Sequence, residues 1–324
     1  MMLKIMHGFL FLNHFPWRVH GFLMMSEQSE KGVQREVITI MCEDGTQLAG
    51  ELLIPTKPKA VVQFNAGTAA KRGVYVKFLT YLAEQGFLCC LWDYRGSGQS
   101  QQGSLKNSAI TYSDYGVKDM PAVKDYLTQR FPELPFLVVA HSAGGQQIGF
   151  MSNWKGIGGV VNFGVSAAYF NYMPLAYRLQ AYFFFYGVTP ISALLKGYVA
   201  ASSLNLMEDL PSGVAFEWRD WLTVKDYFFD EKFYGKTVPQ GAFKAFDFPI
   251  HNYHASDDSI STPNNIRHFW AHIQSSAGIT FDTLSPAQVG LNKIDHFGYF
   301  KSAMQETLWR DVVIKLNGFL AATH

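Results

Sequence analysis

The sequence is short of cysteine, of charge of one sign, and of long unbroken hydrophobic runs. Its 324 residues hold 3 cysteines, and two of them, Cys89 and Cys90, are neighbours in an apolar run. That leaves no disulfide framework and no cysteine spacing suited to a metal. The thiols read as small core residues, as expected in a reducing compartment such as the cytoplasm. Lys plus Arg number 27 against 26 Asp plus Glu, so the net charge is +1, and no basic block stands out. This argues against nucleic acid as a partner. The glycines between Gly156 and Gly159 lack the Lys-Ser/Thr of a phosphate loop, so no nucleotide cofactor is expected. Internal repeats and low-complexity tracts are absent.

Two apolar stretches raise the membrane question. Met1 to Met25 contains Phe9-Leu10-Phe11-Leu12, but Asn13, His14, Pro16, Arg18 and His20 break it up. It is too short for a spanning helix and lacks the small-residue cleavage site of a signal peptide. Two readings stand: a dispensable or mis-assigned extension with Met24 or Met25 as the start, and a weak membrane-associating segment. Leu179 to Leu206 is longer, but Pro190 and Lys196 interrupt it, which favours packed helices over a span. No firm membrane association is expected.

What is present is a large buried core. With 48% hydrophobic residues, the chain fits one big α/β domain with an insertion. Strands are expected over Val37–Cys42, Leu48–Ile54, Ala60–Phe64, Phe87–Trp92, Phe136–Val139, Gly159–Phe163, Pro249–His254 and Thr280–Leu284. Helical patterns fall between several of them: Val74, Phe78, Tyr81 and Leu82 share one face, and others run over about Asp114–Arg130, Pro263–Ile273 and Tyr299–Leu320. Strands alternating with helices predict a mostly parallel sheet. Between Tyr169 and Ala245 the alternation stops and aromatics crowd in, among them Tyr182-Phe183-Phe184-Phe185-Tyr186, Trp218 and Trp221. The expected division is an extension over 1–36, a core over 37–168 and 246–324, and an aromatic helical cap over 169–245.

The chemistry centres on Ala140-His141-Ser142-Ala143-Gly144. A serine between an apolar strand and a helix start, with small residues two positions away on each side, is the nucleophile elbow of α/β-hydrolases. The small flanks are needed because the strained serine backbone brings both neighbours against adjacent elements. Such a serine requires a base and an acid downstream. His254-Ala255-Ser256-Asp257-Asp258-Ser259-Ile260 follows a late strand, and Asp258, with an aliphatic anchor at Ile260, is favoured over Asp257, which suits a turn or cap. His296, in Asp295-His296-Phe297-Gly298, precedes the closing helix. Ser142, Asp258 and His296 run in the order expected of this fold. Imidazole takes the serine proton, and the carboxylate fixes the imidazole tautomer. The oxyanion donors are expected from the Ala143 N–H and from Gly67 or Thr68 in the loop Asn65–Ala70, with Gly67 equally readable as a turn glycine.

Asp93-Tyr94-Arg95-Gly96-Ser97-Gly98-Gln99-Ser100 is the Asp-x-Arg-Gly-x-Gly-x-Ser turn common after the fourth strand of α/β-hydrolases, with a structural role. That turn, the segment Ala140–Gln146, the stretch Glu208-Asp209-Leu210-Pro211 with Trp218 and Trp221, and His296-Phe297-Gly298-Tyr299-Phe300 resemble predicted bacterial α/β-hydrolases near the serine aminopeptidase and monoacylglycerol lipase branch. The resemblance covers Val37 to the C-terminus, with Ala140 for the usual glycine and Asn65-Ala66 opening the oxyanion loop as departures. It implies a serine hydrolase acting on a small to medium hydrophobic ester, thioester or amide, with no cofactor and no metal. Acyl transfer by the same triad and a non-catalytic ligand-binding protein are the rival readings. His251 and His254, three apart on a strand, point to opposite faces and cannot share a metal. His268 and His272 lack the intervening glutamate of a zinc helix.

Overall fold

The computed structural model describes residues 32–204 and 207–322; the stretch Met1 to Met25 lies outside the described residues. The chain begins with an antiparallel hairpin, β1 (Val33–Met41) and β2 (Gln47–Pro55), closed by a turn in which the Cys42 N–H donates to the Thr46 carbonyl at 2.8 Å. Gly45 takes the positive φ of 82° that the turn needs. β1 starts at Val33 rather than Val37, because its register on β2 runs out to the pair Val33–Pro55.

The sheet continues through β3 (Ala60–Asn65), β4 (Phe87–Trp92), β5 (Phe136–His141) and β6 (Ile157–Phe163). A two-stranded ribbon, β7 (Tyr198–Val199) and β8 (Leu210–Pro211), lies in the inserted region, and β9 (Ile250–Ala255) and β10 (Ile279–Leu284) complete the main sheet. Its order is β1-β2-β4-β3-β5-β6-β9-β10. From β4 onward every neighbour is parallel, whereas β2 meets β4 antiparallel. Strands β3, β4, β5 and β9 are buried along their whole length; β4 accordingly reads as a continuous apolar run, whereas β3 and β9 carry buried polar side chains such as Gln63, Asn65, His251 and Asn252.

Period-2 geometry sorts the side chains onto two faces. Phe64, Phe163 and Tyr253 face one side, where α1 (Val76–Glu84) and α8 (Arg310–Ala322) cover them; Phe78 of α1 meets the rings of Phe64, Phe163, Phe300 and Trp309 there. Burying a side chain such as Phe78 contributes about 1.5–3 kcal/mol. Gln63, Asn65 and Asn162 face the other side, under α2 (Met120–Arg130), α3 (Ala143–Gln146) and α7 (Pro263–Trp270). There Gln63 donates to the Met120 carbonyl at 3.2 Å, and a Cβ on Gly145 would stand 2.5 Å from Asn162.

The inserted region holds α4 (Leu175–Tyr182), a π-helical turn over Phe183–Val188, α5 (Thr189–Lys196) and α6 (Ser212–Trp221). Its inner aromatics pack together, as with Phe185 on Trp218 at 5.1 Å. Its outer face leaves Leu175, Leu179, Phe183, Ile191, Leu194 and Leu195 exposed. The apolar character of Leu179–Ser203 is therefore split between a packed side and an outward one; Leu206 lies outside the described residues. No helix among the described residues is long and apolar enough to cross a membrane.

The expected single closing helix over Tyr299–Leu320 is instead broken. Short turns over Gly298–Phe300 and Ser302–Met304 and a π-helical turn over Gln305–Trp309 precede α8. The cause is local: Tyr299 and Phe300 turn inward, the Tyr299 hydroxyl accepts from the Ala255 N–H at 2.8 Å, and the Trp309 indole donates to the Tyr299 carbonyl at 2.8 Å. The three cysteines are buried, and burial pushes the Cys42 thiol up to about 12 with help from the Asp119 charge. Cys89 and Cys90 are raised further by the same desolvation.

Candidate active site

Ser142 stands at the C-terminal end of β5 with φ 50° and ψ −117°, a strained conformation for a residue with a Cβ. Its N–H is held by the Phe163 carbonyl at 2.9 Å. The tightness of the turn accounts for its small flanks. A Cβ on Gly144 would lie 2.2 Å from the Asn65 carbonyl oxygen, inside any tolerable contact, and Ala140 is fully buried. The elbow helix is short: α3 gives way to a 3-10 turn at Ile148–Phe150.

Asp258 and His296 come together. His296 Nδ1 donates to Asp258 Oδ2 at 2.7 Å, and both side chains are buried. The other carboxylate oxygen, Oδ1, accepts the N–H groups of Ile260 at 2.7 Å and Ser261 at 3.0 Å. Burial alone would raise this carboxyl, but the neighbouring His296 and these hydrogen bonds outweigh it and hold Asp258 below the usual carboxylate range. Asp257 does something different. Its two oxygens accept the N–H groups of Ile294 and Asp295, each at 3.0 Å, and so brace the loop that carries His296.

Gly164, which follows the Phe163 that anchors Ser142, lies beneath the acid–histidine pair. A Cβ there would stand 3.1 Å from His296 Cε1 and 3.4 Å from Asp258 Oδ2, and its φ is +59°. Sequence reasoning passed over this glycine; its signal was the position directly after a buried strand at the same sheet end as the elbow.

His141, beside Ser142, is held at both ring nitrogens. Its Nε2 lies 2.8 Å from the His296 carbonyl oxygen, and its Nδ1 lies 2.9 Å from the Tyr75 hydroxyl. A carbonyl only accepts, so Nε2 carries the proton and Nδ1 accepts from Tyr75. Burial, followed by the charge of His296, drives the His141 pKa well down and keeps the ring neutral. The Tyr75 oxygen in turn accepts the Gly67 N–H at 3.1 Å. One chain of hydrogen bonds thus runs from the Gly67 N–H, through Tyr75 and His141, to the backbone of His296. Gly67 must be glycine because a Cβ would lie 2.7 Å from His141 Nδ1.

The Gly67 N–H is therefore engaged, whereas the N–H groups of Thr68 and Ala143 have no partner among the described residues. The Thr68 hydroxyl is hydrogen-bonded to Tyr112, whose ring meets Trp221 at 5.0 Å and Trp218 at 5.6 Å. The inserted aromatics thus reach the Asn65–Ala70 loop directly. Glu208 joins them through its N–H, which donates to the Ala69 carbonyl at 3.3 Å; burial and then the charge of Asp93 push its carboxyl up to about 7.

The Asp93–Ser100 turn is structural in detail. Asp93 accepts from the Gln99 N–H at 2.9 Å and pairs with Arg72 at 3.0 Å. Arg95 sits between Asp119 at 2.5 Å and Asp44 at 2.7 Å. Of the histidines set aside, His251 and His254 fall on opposite faces of β9. His272 reaches Asp226 at 3.3 Å, and His268 bonds Tyr172 at 3.0 Å.

Residues 56–164 match the model of the serine aminopeptidase family S33, less than half of the chain; the matched part includes the Asp93 turn and the elbow but ends before the acid and the histidine. Among solved structures, an esterase from Pyrococcus furiosus is 15% identical with a TM-score of 0.58, covering 95% of this chain and 96% of its own. A thermostable carboxyl esterase from Bacillus coagulans is 15% identical with a TM-score of 0.54, covering 88% and 98%. A monoacylglycerol lipase from Paleococcus ferrophilus is 14% identical with a TM-score of 0.53, covering 84% and 99%. A search of curated protein sequences returns no match. The sheet order, the turn at Ser142 and these likenesses give the chain the α/β-hydrolase fold. Over residues 56–164 it resembles the serine aminopeptidase family, and in overall fold it resembles a monoacylglycerol lipase.

Proposed function

We propose that the protein is a serine hydrolase that cleaves a carboxylic ester of small to medium hydrophobic size through an acyl-enzyme on Ser142. The observation that carries this reading is the buried 2.7 Å contact between His296 Nδ1 and Asp258 Oδ2, beside a serine held at φ 50°. The Nδ1–H given to Asp258 leaves Nε2 as the base. His296 Nε2 takes the hydroxyl proton as Ser142 Oγ attacks the ester carbon. The oxyanion forms against the N–H groups of Ala143 and Thr68. His296 then returns the proton to the leaving alkoxide, the C–O bond breaks, and the acyl group stays on Ser142. Water, deprotonated by the same imidazole, releases the acid and regenerates the serine. No hydrogen bond joins the Ser142 hydroxyl to His296 among the described residues; in enzymes without substrate that bond is often long and tightens on binding. Beside Thr68, Tyr112 and Trp221 are buried as packing, and the partly buried Trp218 next to them is the ring that supports an apolar acyl or aryl group.

The test is turnover of p-nitrophenyl esters from acetate to palmitate by wild type and by Ser142→Ala. Turnover is expected to peak within the short to medium chains and to vanish in the variant while its thermal unfolding is unchanged. A variant that retains wild-type rates on any of these esters overturns the reading.

A further inference from the structure

On the face covered by α8, well away from the elbow, three segments bring metal-binding side chains together. His251 and Tyr253 share one face of β9, and Thr280 and Asp282, their register partners on β10, share the same face. Asp311 comes in from the first turn of α8. One ligand atom from each of His251, Asp282 and Asp311 lies within 4.8 Å of the others.

The orientation of the imidazole is fixed by its neighbours. Thr280 Oγ1 donates its hydrogen to the Ile250 carbonyl at 3.4 Å, so it accepts from His251 Nδ1 at 2.7 Å. The proton is on Nδ1, which turns the bare Nε2 lone pair toward the two carboxylates. His251 is 2% exposed, and its Nε2 has no hydrogen-bond partner. Nε2 lies 3.1 Å from Asp282 Oδ2, close but not aligned for a hydrogen bond. A bare lone pair and a carboxylate oxygen at that distance repel unless a proton or a metal cation stands between them, and burial disfavours the proton.

Nitrogen and oxygen donors about 2.0–2.2 Å from a tetrahedral zinc ion stand about 3.2–3.6 Å from one another. The His251–Asp282 pair, at 3.1 Å, is already that close, and with all three ligand atoms within 4.8 Å of one another, a small side-chain adjustment closes the set around a cation. The outer contacts suit one too: Thr280 orients the imidazole from its far nitrogen, and the Tyr253 hydroxyl donates to Asp311. The neighbouring charge is Lys315, whose ammonium lies 3.7 Å from Asp282 Oδ2 and competes for the same oxygen.

We infer that His251, Asp282 and Asp311 form a binding site for a divalent transition metal, zinc by its donor set, which ties the edge strand β10 to the closing helix. One imidazole and two carboxylates favour zinc over magnesium, which prefers an all-oxygen shell. The fourth position is left to water, and Asp282, with 47% of its side chain exposed, gives the route in.

The experiment is calorimetric titration of the full-length, chelator-stripped protein with zinc chloride, and separately with magnesium chloride, alongside melting curves with and without zinc. One zinc per chain is expected, with a rise in melting temperature and magnesium binding at least tenfold weaker. Thr280→Val, which removes only the orienting hydroxyl, is expected to weaken zinc binding about 10- to 100-fold. Asp282→Asn, at an exposed position that tolerates change, is expected to abolish saturable binding, as is His251→Gln. His272→Gln, at the histidine beside Asp226, is expected to leave it intact. The inference fails if zinc uptake is not saturable, if it persists undiminished in Asp282→Asn, or if His272→Gln removes it.

Discussion

Asp258→Asn is expected to lower kcat on a p-nitrophenyl ester by about 10⁴-fold, with little change in KM or fold. The reason is specific to how this carboxylate is held. Its Oδ1 accepts two backbone N–H groups, from Ile260 and Ser261. An asparagine at 258 keeps its carbonyl oxygen on those donors and so turns its NH₂ toward His296 Nδ1. That nitrogen must then accept, and the imidazole proton moves to Nε2, where it blocks removal of the proton from Ser142. Far-ultraviolet circular dichroism and the melting temperature serve as the fold control. A loss of less than tenfold in a folded variant contradicts the role given to Asp258.

The second large effect is on stability. Asp119→Ala is expected to cost about 3–5 kcal/mol in denaturant unfolding. Asp119 is fully buried and takes three roles at once: it accepts from the Arg95 N–H at 2.9 Å and from its guanidinium at 2.5 Å, and it takes a weak contact from the Cys42 thiol at 3.8 Å. Arg95 is 3% exposed, so removing its buried partner leaves a guanidinium that only the half-exposed Asp44 can neutralise. Replacing both partners with apolar residues, as in Asp119→Leu with Arg95→Met, is expected to recover much of the loss, because the penalty lies in the unpaired charge. A single-variant cost below 1 kcal/mol contradicts this account of the turn.

The framework of the molecule was legible because parallel strands covered on both faces must be continuous and apolar. Phe87–Trp92 is therefore conspicuous, and the alternation of strands and helices carries the fold. The elbow was legible for a different reason, since a strained serine leaves room only for small neighbours. Tyr299–Leu320 misled because its helical periodicity is real, yet Tyr299 is drawn inward by the Ala255 N–H, 44 residues away, as well as by the Trp309 indole within the same segment. The relay from Gly67 through Tyr75 and His141 was hidden for the same reason. It joins residues 8 and 66 positions apart, and nothing in the spacing of Tyr75 announces a partner beside the elbow. The His251 cluster escaped a search for paired histidines because its ligands come one each from three segments.

Ser142 as the nucleophile is tested most directly by a covalent label. Wild-type protein is treated with a fluorophosphonate, digested, and mapped by mass spectrometry. One phosphonyl adduct is expected, on the peptide carrying Ser142, with none in Ser142→Ala and much slower formation in Asp258→Asn. An adduct on another residue, or undiminished labelling of Ser142→Ala, would contradict the account.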